Sequence, residues 1–148
     1  MSLKIEIALP AHTLQILEMQ QKFYTIDQYP FNPEKAKVVL QQFLALPDLG
    51  MIWLLKLKEQ YIGYVALTYC YSFEFGGRIA FLDEFFIQEA FRHKGFGTQA
   101  LSYVLTEATR LELKVLHLEA ERHNIAGKAL YHKFGFKDHD RHLLTKYL

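Results

Sequence analysis

Glu84-Phe85-Phe86-Ile87-Gln88-Glu89-Ala90-Phe91-Arg92-His93-Lys94-Gly95-Phe96-Gly97-Thr98 runs from an apolar stretch through a short basic, glycine-rich loop into an amphipathic segment. The order reads as strand, anion-binding loop and helix. Arg92, Gly95 and Gly97 sit where a backbone must approach a ligand, because glycine has no Cβ and tolerates positive φ, so consecutive N–H groups can turn toward one anion. The helix opened by the loop leaves its first N–H groups without internal partners, and its dipole favours negative charge there. A phosphate group suits such a loop.

On the C-terminal side, Gly97 to about Leu111 predicts a helix with Leu101, Val104, Leu105 and Ala108 on one stripe and Glu107 and Arg110 outside. Val115 to Ala120 is the next strand, so strand, helix and strand form a right-handed crossover with two parallel neighbours. Asn124 to Phe134 reads as a short helix, with Ala129, Leu130 and Phe134 facing inward and Gly135 ending it in the C′ position. Phe136 to His139 and Leu143 to Tyr147 are expected to close the sheet as a last hairpin.

On the N-terminal side, Arg78 to Gln88 is apolar enough for burial on both faces. Before it, Met51 to Leu57 and Tyr61 to Ser72 form an antiparallel hairpin across Lys58-Glu59-Gln60, and Phe73 to Gly77 make the next turn. Leu3, Ile5 and Ile7 alternate with Lys4 and Glu6 as a half-buried strand ended by Pro10. Leu14, Ile16, Leu17 and Met19 place a helix up to about Tyr24. Asn32-Pro33-Glu34 starts another, with a capping side chain, a proline in the first position and an acid in the first turn, running to about Leu46-Pro47. No repeat or linker interrupts the chain, so one α/β domain over residues 1–148 is expected, mostly antiparallel first with one βαβ unit in its second half.

Composition supports a packed core, with 51% hydrophobic residues among 148. A net charge of +1 gives no field for nonspecific nucleic-acid binding. No apolar run approaches the roughly 20 residues of a membrane span, and early charges argue against a signal peptide, so neither nucleic acid nor membrane is an expected partner and a cytoplasmic location is expected. Cys70 is the single cysteine, which excludes an internal disulfide, and its apolar surroundings predict a small buried hydrophobe.

Two motifs now resemble the GNAT superfamily of acetyl-CoA-dependent N-acetyltransferases. Arg92, Gly95 and Gly97 match the first, Arg or Gln, two residues, Gly, one residue, Gly or Ala. Asn124, Leu130, Tyr131, Gly135 and Phe136 match the second. Glu89, His93 and Gly127 depart from it, standing where many members have Pro, Gly and Ala. Leu82-Asp83-Glu84-Phe85-Phe86-Ile87 also resembles the corresponding strand of the diamine and polyamine acetyltransferases, with the two acids interchanged.

The resemblance implies a mixed sheet, mostly antiparallel with a central parallel βαβ unit and flanking helices. It implies acetyl-CoA as co-substrate, no metal, and a small cationic amine or polyamine as acceptor. Backbone N–H groups of Arg92, His93, Lys94, Gly95, Phe96, Gly97 and Thr98 would cradle the pyrophosphate, and the strand edge at Phe86 and Ile87 would pair with the pantetheine amides. Asn124 would hold the cofactor, cap its helix, or do both. Tyr131 is the implied general acid, its phenol staying protonated at neutral pH because its ordinary pKa is about 10. A primary ammonium must lose its proton before attack. Asp83 is the first candidate base, since alternation puts it on one face with Phe81 and Phe85 and turns Glu84 away. Glu84, Glu74, Glu119 and Asp27 are alternatives for the base or for a cationic substrate, and Tyr24, Tyr29 and Phe31 can wall the acceptor site. Small members of such families often dimerise through late strands, so a homodimer is also expected.

Other classes have less behind them. A Cys-His hydrolase would need Cys70 at an acidifying helix terminus, and a metal site from His132, His139 and His142 with Asp138 or Asp140 matches no closed zinc pattern. A non-catalytic acyl-CoA sensor would keep the loop and lose the chemistry, against which Tyr131 and the acid pair argue. A protein-lysine or N-terminal acetyltransferase remains the other reading.

Overall fold

The computed structural model describes residues 2–148; Met1, part of the N-terminal stretch read above, lies outside them. Five strands form one sheet in chain order: β1 (Leu3–Ile7), β2 (Gly50–Leu57), β3 (Gln60–Ser72), β4 (Gly77–Ile87) and β5 (Leu116–Leu118). The first four are antiparallel, and β5 runs parallel to β4 through the helix crossover. The sheet is therefore mixed and the domain α/β, as the sequence predicts.

Helices cover both faces. α1 (Thr13–Ile26) and α2 (Pro33–Ala45) pack on one, burying Ile16, Met19 and Leu40 against Ile52, Leu54, Tyr64, Ala66 and Phe86. α3 (Phe96–Arg110) lies on the other, with Phe96, Ala100, Leu101 and Val104 against Trp53, Leu55, Val65, Leu67 and Leu82. α4 (Ile125–Lys133) joins that second layer through Leu130 and Tyr131. The helix signals act as local chemistry requires: Asn32 Oδ1 accepts from the Lys35 N–H at 3.1 Å with Pro33 in the first turn, and Glu107 and Arg110 pair outside α3 at 2.7 Å.

Several expectations change. On α1 the buried stripe is Thr13, Ile16 and Met19, while Leu14 is exposed. Ala129 faces solvent, leaving Leu130 and Phe134 as the inward residues of the last helix region. Cys70 is exposed. It falls past Thr68, the last β3 residue paired with β2, where β3 and β4 continue as a two-stranded ribbon that also exposes Tyr71. The last hairpin does not form: residues 136–148 contain no strand. Five consecutive polar residues, Asp138 to His142, interrupt that stretch. Arg141 forks onto Glu74 at 2.8 and 2.5 Å, and Leu143, Leu144, Tyr147 and Leu148 stay exposed.

Candidate active site

β4 and β5 are paired only from Ala80 to Leu82 against Leu116 to Leu118, so beyond Leu82 the last five residues of β4 run on without a β5 partner. At that point β4 also carries a bulge. Ala66 on β3 pairs with Glu84 and the next residue, Leu67, pairs with Leu82, leaving Asp83 without a register partner. The bulge overturns the alternation expected from sequence. Phe85 packs with the α3 layer, whereas Glu84 lies with Ala66 and Phe86 toward α1 and α2. Asp83 and Glu84 consequently line one and the same cavity, which strict period-2 geometry forbids.

That cavity, about 590 Å³, lies between α1, α2 and the sheet. Glu84 is held at one side of it by three donors. Gln20 Nε2 and the Tyr64 hydroxyl donate to Oε1 at 3.0 and 2.9 Å, and the Tyr24 hydroxyl donates to Oε2 at 2.5 Å. Burial raises the Glu84 pKa above the ordinary value against the opposing pull of these hydrogen bonds. The Tyr24 and Tyr64 phenols are pushed up by burial and by the neighbouring carboxylate, so they remain donors. Asp83 is raised by burial too. Among the described residues neither acid stands within ion-pair distance of a cation. Gln20 and Tyr64 carry no sequence signal for this role, because only the packing of α1 on β3 brings them to Glu84.

Asp83 also lines a second cavity, about 420 Å³, with Asp27, Glu119, Glu121, Arg122, Phe81 and Ala120. Asp27 there stands 3.8 Å from His123. Ala120 is shared in turn with a third cavity, about 890 Å³, along β5 and α4, which Tyr131 lines. The acids and the phenol thus flank the region where β4 and β5 part. Glu74 is absent from all three cavities, paired with Arg141 in the β3–β4 turn.

α4 ends in a Schellman motif that explains why Gly135 and Phe136 follow Tyr131 at this spacing. Gly135, at φ +88°, donates its N–H to the His132 carbonyl at 3.0 Å, and Phe136 donates to the Tyr131 carbonyl at 3.1 Å. The returning Phe136 ring meets the Tyr131 ring edge-on at 5.8 Å. Burial raises the phenol pKa, keeping it protonated and able to donate.

Residues 13–136 match the model of the acetyltransferase (GNAT) family. The chain belongs to this family. Solved structures agree on the fold. An integron cassette protein from the mobile metagenome of Cole Harbour Salt Marsh is 28% identical, with TM-score 0.88 over 97% of this chain and 90% of that one. A predicted acetyltransferase from Clostridium acetobutylicum, solved with acetyl-CoA, is 18% identical at TM-score 0.82 over 98% and 96%. A ribosomal-protein-alanine N-acetyltransferase from Brucella melitensis biovar Abortus 2308 is 13% identical at TM-score 0.78 over 99% and 100%. No curated protein matches the sequence.

This GNAT chain is therefore an acetyltransferase with acetyl-CoA as its co-substrate. Its loop suits the pyrophosphate. The N–H groups from His93 to Thr98 donate to no backbone carbonyl among the described residues, and no side chain caps the start of α3. Gly95 takes φ +83° with open space where a Cβ would stand, and Gly97 packs against Leu130 and Ile87. His93 adopts φ +58°, the left-handed region in which glycine is at ease, and its side chain is exposed. Lys94 is exposed as well. Arg92 turns back, donating Nε to the Ile87 carbonyl at 2.7 Å and lying 5.7 Å from the Phe86 ring centroid. Asn124 caps α4, accepting from the Gly127 N–H at 3.0 Å, and a Cβ on residue 127 would stand within 2.4 Å of the Asn124 amide. A side chain at 127 would therefore require the capping Asn124 amide to move. No group of three or more His, Cys, Asp or Glu side chains that could hold a metal occurs among the described residues, and no helix is long and apolar enough to cross a membrane.

Proposed function

We propose that this enzyme acetylates a small primary amine that is cationic in solution, by direct attack within a complex of both substrates. The observation that carries this reading is the bulge at Asp83, which turns two carboxylates without a cation toward one cavity beside the end of the β4–β5 pairing. Acetyl-CoA supplies the activated acetyl group. The N–H groups from His93 to Thr98 hold its pyrophosphate, while the Arg92 N–H is spent on the Glu89 carbonyl at 3.2 Å; Phe86 and Ile87 offer strand edge to its arm, and Asn124 keeps α4 in place beside it.

Asp83 takes one proton from the ammonium and passes it to solvent, freeing the nitrogen lone pair to form the C–N bond. As the C–S bond breaks, its electron pair stays on sulfur, to which Tyr131 gives its proton. The second proton shed by nitrogen returns to the phenol through water. A backbone N–H of the parted strand stabilises the negative charge that develops on the acetyl oxygen. Glu84, with Tyr24 and Gln20, draws the cation in.

A polyamine is the second reading, favoured by the neighbouring cavity, where Asp27, Glu119 and Glu121 could meet further ammonium groups. A cytoplasmic setting and a homodimer belong to the same proposal, the latter supported by the exposed Leu143, Leu144, Tyr147 and Leu148. The decisive assay follows free thiol released from acetyl-CoA as primary amines are added. Acceleration by an amine is expected. Thermal stabilisation by acetyl-CoA without any amine-dependent release would overturn the amine acceptor.

A further inference from the structure

The cavity beside Glu84 is not a polycation site. Its two carboxylates, Asp83 and Glu84, lie together with Gln20 and Tyr24; Asn32, Lys35 and Thr68 are its other polar lining residues, and Phe31, Val39, Leu40, Phe43, Ile52 and Ala66 supply an apolar wall. Val39, Leu40 and Phe43 follow one stripe of α2, so the apolar wall extends along that helix. A second ammonium reaching along this wall would leave water for carbon, at a cost that no carboxylate there offsets. The cation lining the cavity, Lys35 on the first turn of α2, would also repel it. A single ammonium at the acidic side meets the opposite circumstances. It supplies the countercharge that Asp83 and Glu84 lack. It also answers Gln20, whose Nε2 is committed to Glu84 and whose Oε1 is buried with no donor.

Resting on the amine reading above, we propose that the acceptor is a primary monoamine on an apolar body, an arylalkylamine or a longer alkylamine. Its nitrogen lies at Asp83 and Glu84 and its body along α2. A cavity of about 590 Å³ is of the size that encloses a small molecule. The distinction from a polyamine is one of body chemistry, since both classes present the same reacting nitrogen.

The test compares phenethylamine and hexylamine with putrescine and spermidine in the thiol-release assay on the full chain. The apolar amines are expected to show kcat/KM about tenfold or more above the polyamines, the discrimination that a few buried methylenes provide. Val39 is exposed on the rim of the wall, so Val39→Asp places a charge there without emptying the core. It should lower the ratio of kcat/KM for phenethylamine to kcat/KM for putrescine about tenfold. Polyamines equal to or better than the apolar amines would overturn this proposal while leaving the amine reading intact. So would a Val39→Asp enzyme with an unaltered preference. If no amine of either kind accelerates release, the amine reading falls and this proposal falls with it.

Discussion

The loop from Arg92 to Gly97 takes its shape from its own residues, whereas Asp83 and Glu84, on the strand leading into it, take theirs from elsewhere in the chain. Gly95 enters the left-handed region and starts α3, and the N–H groups that follow have no internal acceptor by the rules of any helix start. The acid pair depends on β3, whose register leaves Asp83 bulged, and on α1 and β3 for the three donors that hold Glu84. A locally built site is disturbed through backbone conformation. A site assembled across the fold is disturbed through charge and proton chemistry, with larger effects.

Asp83→Asn tests that contrast most severely. The variant keeps the side-chain size and removes the proposed proton acceptor, so kcat/KM should fall by about 10²- to 10³-fold. The pH profile is the sharper readout. Only the ionised carboxylate accepts a proton, so wild-type kcat/KM should rise with pH through the raised Asp83 pKa, and the variant should lose that limb. An unchanged profile would move the role to Glu84. The same raised pKa has a stability consequence of fixed sign. Folding favours the protonated acid, so as pH climbs from about 3.9, the ordinary aspartate value, through the higher folded pKa, the wild type should lose stability relative to Asp83→Asn. The difference in Tm between the two proteins should open over that window and then level off.

Tyr131→Phe is expected to rank next. The ring and its edge contact with Phe136 survive, and only the hydroxyl is lost. A drop of about tenfold or more in kcat with unchanged Kd for acetyl-CoA would support proton donation to the departing sulfur. Equal turnover would leave Tyr131 as a packing residue of the α4 cap.

What could be read in the sequence divides along the same line. Asn32-Pro33, the Gly95 turn and Gly135 after α4 are local signals, and each acts where its chemistry requires. The antiparallel run of β2, β3 and β4 follows from strand periodicity and short turns, and the place of β5 from the helix crossover, whereas the seat of β1 beside β2, two helices away along the chain, has no local signal. The direction of Asp83 relative to Glu84 could not be read, since a bulge is a property of two strands in register and alternation along one strand contains no trace of it. Cys70 misled for a related reason: its apolar neighbours suggest burial, yet β2 ends short of it and nothing covers the ribbon there. The C-terminal stretch shows strand-like composition in Leu143 to Tyr147, but Arg141 binds Glu74 and no strand forms among the described residues. The apolar wall that α2 gives the cavity beside Glu84 is an ordinary amphipathic stripe, which sequence cannot distinguish from core.

His93→Gly should give the smallest change and bears most directly on the local side of the contrast. A non-glycine residue in the left-handed region costs about 1 to 2 kcal/mol, and glycine returns roughly 0.5 to 1 kcal/mol of that through its freer unfolded chain. The net gain should lie between about 0 and 1.5 kcal/mol, raising Tm by no more than about 6 °C for a domain of this length. If the loop holds the pyrophosphate through backbone N–H groups, losing an exposed imidazole should leave Kd for acetyl-CoA within about twofold of wild type, a change below 0.5 kcal/mol. A tenfold weakening would mean that the imidazole itself donates to the phosphate. The departure at position 93 would then be a gained contact, and the loop would depend on side-chain chemistry as the acid pair does.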